Sequence, residues 1–345
     1  MRGLVPAHLQ NIVTVQPIFW APLTAFAAAL FLVWWLVNSR FSALALDRPN
    51  PRSLHETPVP RTGGIGLHAG ILLAIGMIAP NLPFALAIAL GLLYAVSLLD
   101  DVRGIAARWR LAVHLIAAGG LSASILLDGY GVVAALILAV GIAWMANLYN
   151  FMDGSDGLAG GMAVFGFSFY GIAAWFAGST EFALVNFSVA AAAAAFLIFN
   201  FPPARVFMGD VGSVPLGFLA GALGLIGWVQ RDWTWWFPVL LFSPFIVDST
   251  VTLVRRALRG ERVWQAHREH YYQRMVQFGL GHRRTALLWY GLMTAVGTSA
   301  TWGLQQSPTG QAGLLGVWAI GYAVMLLFVD HQWAAYRGKT SQERT

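Results

Sequence analysis

Pro83-Phe84-Ala85-Leu86-Ala87-Ile88-Ala89-Leu90-Gly91-Leu92-Leu93-Tyr94-Ala95-Val96-Ser97-Leu98-Leu99-Asp100-Asp101 is the stretch that decides the fold. Its run from Pro83 to Leu99 carries no charge, and two adjacent carboxylates then end it. A bilayer core about 30 Å thick needs roughly 20 apolar residues in a helix, so such a run reads as a membrane span closed by acids at one face. Comparable runs lie near Ile18–Val37, Gly64–Ile78, Leu111–Leu127, Val132–Ala146, Leu158–Phe176, Phe182–Phe199, Val214–Val229, Trp233–Val254, Ala286–Leu304 and Gly313–Val329. The pattern predicts an all-α integral membrane protein of about eleven transmembrane helices with short loops. Breaks at Pro80–Pro83 and Asp128–Tyr130 read as tight turns outside the hydrocarbon.

Composition agrees. Of 345 residues 58% are hydrophobic and 10% charged, with a mean hydropathy of +0.64. A soluble domain has about 25% charged residues, so this chain lacks the polar surface to face water all round. Length alone would suggest two soluble domains; the unbroken alternation of apolar runs and polar breaks predicts one membrane domain over residues 1–345. The first sixteen residues are mixed, and no cleavable leader is expected. Without cysteine, disulfides, thiolate metal sites and cysteine nucleophiles are excluded.

The net charge of +6 could suggest nucleic acid, but its distribution has a topological cause. With the N-terminus outside, the inward segments hold Arg40, Arg48, Arg52 and Arg61, then Arg103, Arg108 and Arg110, then Arg205. A dense block from Arg255 to Arg284 and the tail residues Arg337, Lys339 and Arg344 follow, whereas Arg2 and Arg231 alone face outward. Basic residues favour the cytoplasmic side, which predicts the N-terminus outside, the C-terminus in the cytoplasm and no nucleic-acid partner. Trp20, Trp34, Trp35, Trp233, Trp235 and Trp236 sit near span ends and read as interfacial anchors.

The scarce acids gather on the cytoplasmic side. Asp100 and Asp101 close the third span, Asn150, Asp153 and Asp156 sit in the loop from the fifth to the sixth, and Asp210 leads into the eighth. Any one of them alone would be a helix cap or a solvated loop charge. Crowded together they need a cation, and Mg2+ takes one or two protein carboxylates while completing its shell with water and phosphate. Glycines 154, 157, 209 and 212 would let backbone approach a phosphate, and helices starting after Asp156 or Asp210 would aim free N–H groups at it. Two basic segments face them. The first is the proline-stiffened loop 47–64 containing Arg61; the second is Ala266-His267-Arg268-Glu269-His270-Tyr271-Tyr272-Gln273-Arg274. If that loop is helical, His267 and His270 share a face; two histidines make an incomplete zinc site, and phosphate contact or proton handling suits them better. Asp248 lies inside a span, with Arg255 and Arg256 following, and reads equally as a buried packing pair or as a lining of the cleft.

Pro58-Val59-Pro60-Arg61-Thr62-Gly63-Gly64, Asp100-Asp101, Asn150-Phe151-Met152-Asp153-Gly154-Ser155-Asp156-Gly157-Leu158, Phe207-Met208-Gly209-Asp210-Val211-Gly212-Ser213 and the histidine loop occur in one order over most of the chain, from about Asp47 to Arg284. In combination they resemble the polyprenyl-phosphate N-acetylhexosamine-1-phosphate transferases. The resemblance implies a bacterial inner-membrane enzyme with a cytoplasmic active-site face. It would convert a UDP-N-acetylhexosamine and undecaprenyl phosphate into undecaprenyl-diphosphate-sugar and UMP, with Mg2+ as cofactor, to initiate a cell-surface polysaccharide. On this likeness Asp100 and Asp101 lie at the reacting phosphates, and Asn150, Asp153 and Asp156 shape the nucleotide and metal site. Asp210 is the best metal ligand, with Asp153 as the second, and Phe207 would stack on uracil. His267 and His270 are catalytic, with Arg61 and Arg268 as substrate contacts. The histidine loop is looser than in the peptidoglycan branch and looks more like that of members initiating O-antigen chains of lipopolysaccharide; UDP-GlcNAc, UDP-N-acetylfucosamine and UDP-N-acetylquinovosamine all stay open. Family likeness allows a homodimer. The competing class is a multi-span secondary transporter, which would keep its ionisable residues near the bilayer midplane between internal repeats; here they sit at span ends and no repeat is visible.

Overall fold

The computed structural model describes residues 17–43, 45–47, 49, 54, 57–263, 265 and 267–342. Met1–Gln16, Arg48, Arg52, His55, Glu56 and Arg344 of the sequence reading lie outside the described residues. The elements run α1 (Ala21–Asn38), β1 (Leu46–Asp47), β2 (Val59–Pro60), α2 (Gly63–Ile78), α3 (Phe84–Arg103), α4 (Ala107–Leu126), α5 (Gly131–Met152), α6 (Leu158–Phe176) and α7 (Thr180–Asn200). Then come α8 (Asp210–Val229), α9 (Trp236–Leu241), α10 (Ser243–Leu258), α11 (Tyr271–Met275), α12 (Gly281–Gly303) and α13 (Pro308–Gln342).

Among the described residues eight helices, α1, α3 to α8 and α13, are long and apolar enough to cross a bilayer. Helices suit that role because all their backbone groups are bonded internally. The other three expected segments are present in altered form. Helix α2 is apolar but only 16 residues long, and α12 opens on the polar Gly281-His282-Arg283-Arg284. The segment expected as one span over Trp233–Val254 is broken into α9 and α10. The cause is Pro244, which has no N–H to give and whose ring would strike the carbonyl of Leu240. That carbonyl instead accepts the Ser243 hydroxyl at 2.6 Å, and Ser243 also bonds Tyr322 of α13 at 2.6 Å, so the break leaves no orphan there.

Helix α8 is the most enclosed span, ahead of α7 and α6, while α1, α3 and α13 show apolar faces outward. Small residues make this possible. A Cβ on Gly217 would fall 2.5 Å from Tyr149 Cβ and 2.6 Å from the Met145 carbonyl, so α8 touches α5 backbone directly. The contact carries the end of α5, with Asn150, onto the start of α8. Two of the expected interfacial tryptophans do something else. Trp233 and Trp236 are buried, donating to the Gly224 carbonyl at 3.0 Å and the Gln311 amide at 2.9 Å, whereas Trp20, Trp34, Trp35 and Trp235 are exposed.

Candidate functional site

Short turns alternate the helix directions, so the start of α2, end of α3, start of α4, end of α5 and starts of α6 and α8 share one face of the bundle. Two of the sequence motifs are stitched together there by backbone. Phe207 N–H donates to Pro60 O (2.7 Å), Gly63 N–H to Phe207 O (3.0 Å) and Gly64 N–H to Met208 O (3.0 Å). Gly64 is required by close approach, since a Cβ would lie 2.4 Å from Gly212 Cα. The proline-rich loop is therefore a strap. Its β2 pairs antiparallel with β1, Leu46 facing Pro60 and Asp47 facing Val59, which sets Arg61 Nη2 2.8 Å from Asp47 Oδ1. Burial disfavours the Arg61 charge, yet Asp47, with Asp101 and Asp210 beyond it, holds its pKa above the ordinary value.

The acids form a connected set around the start of α8. Asp101 accepts the N–H groups of Asp210 (3.1 Å) and Val211 (2.9 Å), capping from α3 a helix end that would otherwise leave orphan donors. Asp100 accepts Ile105 N–H and Arg110 Nη1, both at 2.5 Å; the same Arg110 nitrogen donates to Asp210 Oδ2 at 2.8 Å. Asn150 completes the chain, donating to Asp210 Oδ1 (2.8 Å) and Ser213 Oγ (2.9 Å). Asp153 sits half-buried beside them. Loss of water first, then the charges of Asp210 and Asp101, push its carboxyl well above the usual range, against the pull of Arg61.

Five carboxylates, Asp47 among them, thus face two guanidinium groups, with oxygen donors throughout. That donor set fits a hard divalent cation. Among the described residues no group of three or more His, Cys, Asp or Glu side chains is placed to hold a metal ion.

The histidine loop covers the opposite wall. Residues 267–270 are not helical, so the shared helix face does not exist; instead the chain folds to bring the two rings within 4.8 Å. Both line a cleft of about 600 Å³ with Arg110, Asn150, Phe151 and Gln273 at its polar end and Leu111, Leu115, Val140, Trp144 and Leu253 at its apolar end. Burial, then His270 and Arg256, push His267 down to about 3, so its ring is neutral near pH 7. Its Nδ1 lies 3.3 Å from the Glu269 N–H, which leaves Nε2 as the protonated nitrogen and a donor.

The structure thus gathers Arg61, Asp100, Asp101, Asn150, Asp153 and Asp210 in one cluster, and Arg110 and Asn150 join that cluster to the cleft that His267 and His270 line. Phe207 is half-buried at the strap. Asp156 is engaged elsewhere: its Oδ2 accepts Ala204 N–H at 2.9 Å and its Oδ1 stands 3.7 Å from His282 Nδ1. Arg268 is exposed. Sequence reasoning passed over Arg110, which positive-inside topology already explained, and His282, which meets Ser155 Oγ at 2.9 Å.

Against known proteins, the model for glycosyl transferase family 4 matches residues 83–228. The decaprenyl-phosphate N-acetylglucosaminephosphotransferase of Mycolicibacterium smegmatis is 30% identical, over 89% of this chain and 87% of its own length. The chain belongs to glycosyl transferase family 4. Two further relatives are the "Probable undecaprenyl-phosphate N-acetylglucosaminyl 1-phosphate transferase" of Bacillus subtilis (strain 168), 29% identical over 71% of this chain and 74% of its own, and the undecaprenyl-phosphate alpha-N-acetylglucosaminyl 1-phosphate transferase of Escherichia coli (strain K12), 28% identical over 70% and 72%. The segment matched to glycosyl transferase family 4 runs from the start of α3 to the end of α8. It holds the whole acidic set and Arg110, while the Arg61 strap and the histidine loop lie outside it.

Proposed function

We propose that this family-4 protein transfers N-acetylhexosamine-1-phosphate from a UDP-sugar to undecaprenyl phosphate, working as one membrane unit with its site on the cytoplasmic face. The observation carrying this is Arg110 bridging Asp100 and Asp210 beside Asn150, at the head of a cleft whose far end is apolar. Such a cleft suits a lipid phosphate entering from the bilayer with its charged end at Arg110 and Asn150. The relatives' names support the reaction class, all being polyprenyl-phosphate N-acetylglucosamine phosphate transferases. They make UDP-GlcNAc the first donor to try. The initiated polymer would be a cell-surface polysaccharide, with O-antigen the favoured one.

A lipid phosphate oxygen attacks the β-phosphorus of the UDP-sugar; the bond from that phosphorus to the bridging oxygen breaks, and UMP leaves with the oxygen. Both reactants are anionic, so neutralisation and alignment are the main tasks. Arg110 and Arg61 supply fixed positive charge, and neutral His267 can donate Nε2–H to a phosphate oxygen. Asp100 or Asp101 orients the attacking phosphate and can take its proton. Phe207, near the strap, offers a ring for uracil. Mg2+, when bound, would be held by Asp210 and Asp153 and would offset the diphosphate charge.

Mass spectrometry of the lipid fraction tests the reading. Purified protein with undecaprenyl phosphate and each UDP-N-acetylhexosamine in turn is expected to give an undecaprenyl-diphosphate-sugar from at least one donor. A folded protein that yields none across the panel would overturn it.

A further inference from the structure

Asp248 of α10 is fully buried, and neither arginine that follows it is its partner. Arg255 bonds Asp330 of α13 at 2.5 Å, and Arg256 pairs with Glu261 (3.1 Å) and Glu269 (3.5 Å). The Asp248 oxygens instead accept the N–H groups of Tyr271 and Tyr272, each at 2.9 Å, and the Thr252 hydroxyl at 3.3 Å. Its Oδ1 stands 3.1 Å from His270 Nδ1. Building on the transfer reaction above, we propose that Asp248 is a positioning residue that fixes His270 with Nδ1 protonated and turned inward, leaving Nε2 for the phosphates in the cleft.

A carboxylate only accepts hydrogen bonds, so the proton between these groups belongs to Nδ1. The free nitrogen then accepts from a phosphate P–OH in the neutral ring, or donates to a phosphate oxygen in the cation. The ring plane is set as well, between Phe151 at 6.4 Å and Tyr272 at 5.9 Å, both stacked on it. His267, 4.8 Å away, has the opposite arrangement, with Nδ1 taken by backbone. With both rings neutral, His267 offers the cleft an Nε2–H donor and His270 an Nε2 acceptor.

Asp248 also registers this loop against the acidic one. It anchors the Tyr272 N–H, and the Tyr272 hydroxyl donates to Phe151 O at 3.1 Å. A Cβ on Gly154 would lie 2.2 Å from that hydroxyl, so the ring is wedged under the turn that carries Asp153. One buried carboxylate thus sets both the ring nitrogen and its distance from the acids.

The test is Asp248→Asn in the full-length protein, with UMP release measured in detergent, alone and combined with His270→Gln. Losing the carboxylate that orients a histidine costs about 10–100-fold at metal sites, and with the same orienting role here kcat is expected to fall by about that factor with KM for both substrates nearly unchanged. In the His270→Gln background the same substitution should cost almost nothing further. An equal loss in both backgrounds would overturn the proposal and leave Asp248 as a helix cap. Nitrogen NMR of labelled histidine in the unmutated protein reads the point without turnover, using His270→Gln to assign the signal. A protonated Nδ1 is expected, and a bare Nδ1 overturns the proposal even if Asp248→Asn does not fold. Failure of every UDP-sugar to react would sink the transfer reading and leave the NMR result to decide this one.

Discussion

Asp210→Ala is expected to lower UMP release by about 10²–10³-fold, the scale seen when one preorganised charge-stabilising group is lost. Asp210 is the junction of the site, receiving Arg110 on one oxygen and Asn150 on the other. Its removal frees Arg110 to collapse onto Asp100, 2.5 Å away, so the guanidinium no longer spans the mouth. It also deletes the best candidate oxygen for a divalent cation. The fold should survive, because the start of α8 is capped by Asp101 through backbone N–H groups that alanine retains. Asp128→Ala, an exposed acid on the opposite face, is the matched control and should leave turnover within about twofold, as surface changes away from sites usually do. Equal effects from the two would contradict the assignment.

Gly64→Ala is expected to be among the most damaging single-methyl additions. The new Cβ would sit 2.4 Å from Gly212 Cα and 2.5 Å from Met208 O, both backbone atoms that no rotamer change can clear. Helix α2 must back away from α8, stretching the bonds from Gly63 and Gly64 to Phe207 and Met208. It would also strain the buried bond from His68 Nε2 to Gly212 O, now 3.0 Å. Overpacking of this kind costs about 1–3 kcal/mol, and a melting curve in detergent should show a Tm lower by several degrees. Activity should fall as well, since the strap holds Arg61 and the start of α8 holds Asp210. Gly76→Ala, on the same helix with open space around its Cβ, should be neutral or slightly stabilising. If Gly64→Ala melts like Gly76→Ala, the close approach of α2 and α8 is wrong.

What could be read beforehand follows from where each signal lives. The spans were legible because an apolar run closed by Asp100-Asp101 is a local pattern, although α5 continues past the expected end at Ala146 to Met152 and carries Asn150 on the helix, not in the loop. The convergence of the acids was legible too, since alternating spans bring every second loop to one face. Asp248 was not. It read equally as a buried packing pair with Arg255 and Arg256 or as a lining of the cleft, and nothing nearby in the sequence reveals that Asp330 has claimed Arg255. Arg110 was hidden for a different reason. Topology already accounted for its charge, so its place between Asp100 and Asp210 left no residue to explain. The break before α10 did have a signal, Pro244, but the apolar run continues through it and outweighed it. His282 bonds partners 127 residues away, a contact that only folding creates.

If a sugar phosphate moves from nucleotide to lipid at the acid–arginine cluster beside this cleft, UMP release from purified protein given UDP-GlcNAc and undecaprenyl phosphate, with Mg2+ or with EDTA and beside Asp210→Ala, reports it. Release is expected only when lipid phosphate, Mg2+ and Asp210 are all present. Release that continues in the Asp210→Ala protein, or without lipid phosphate, would contradict it.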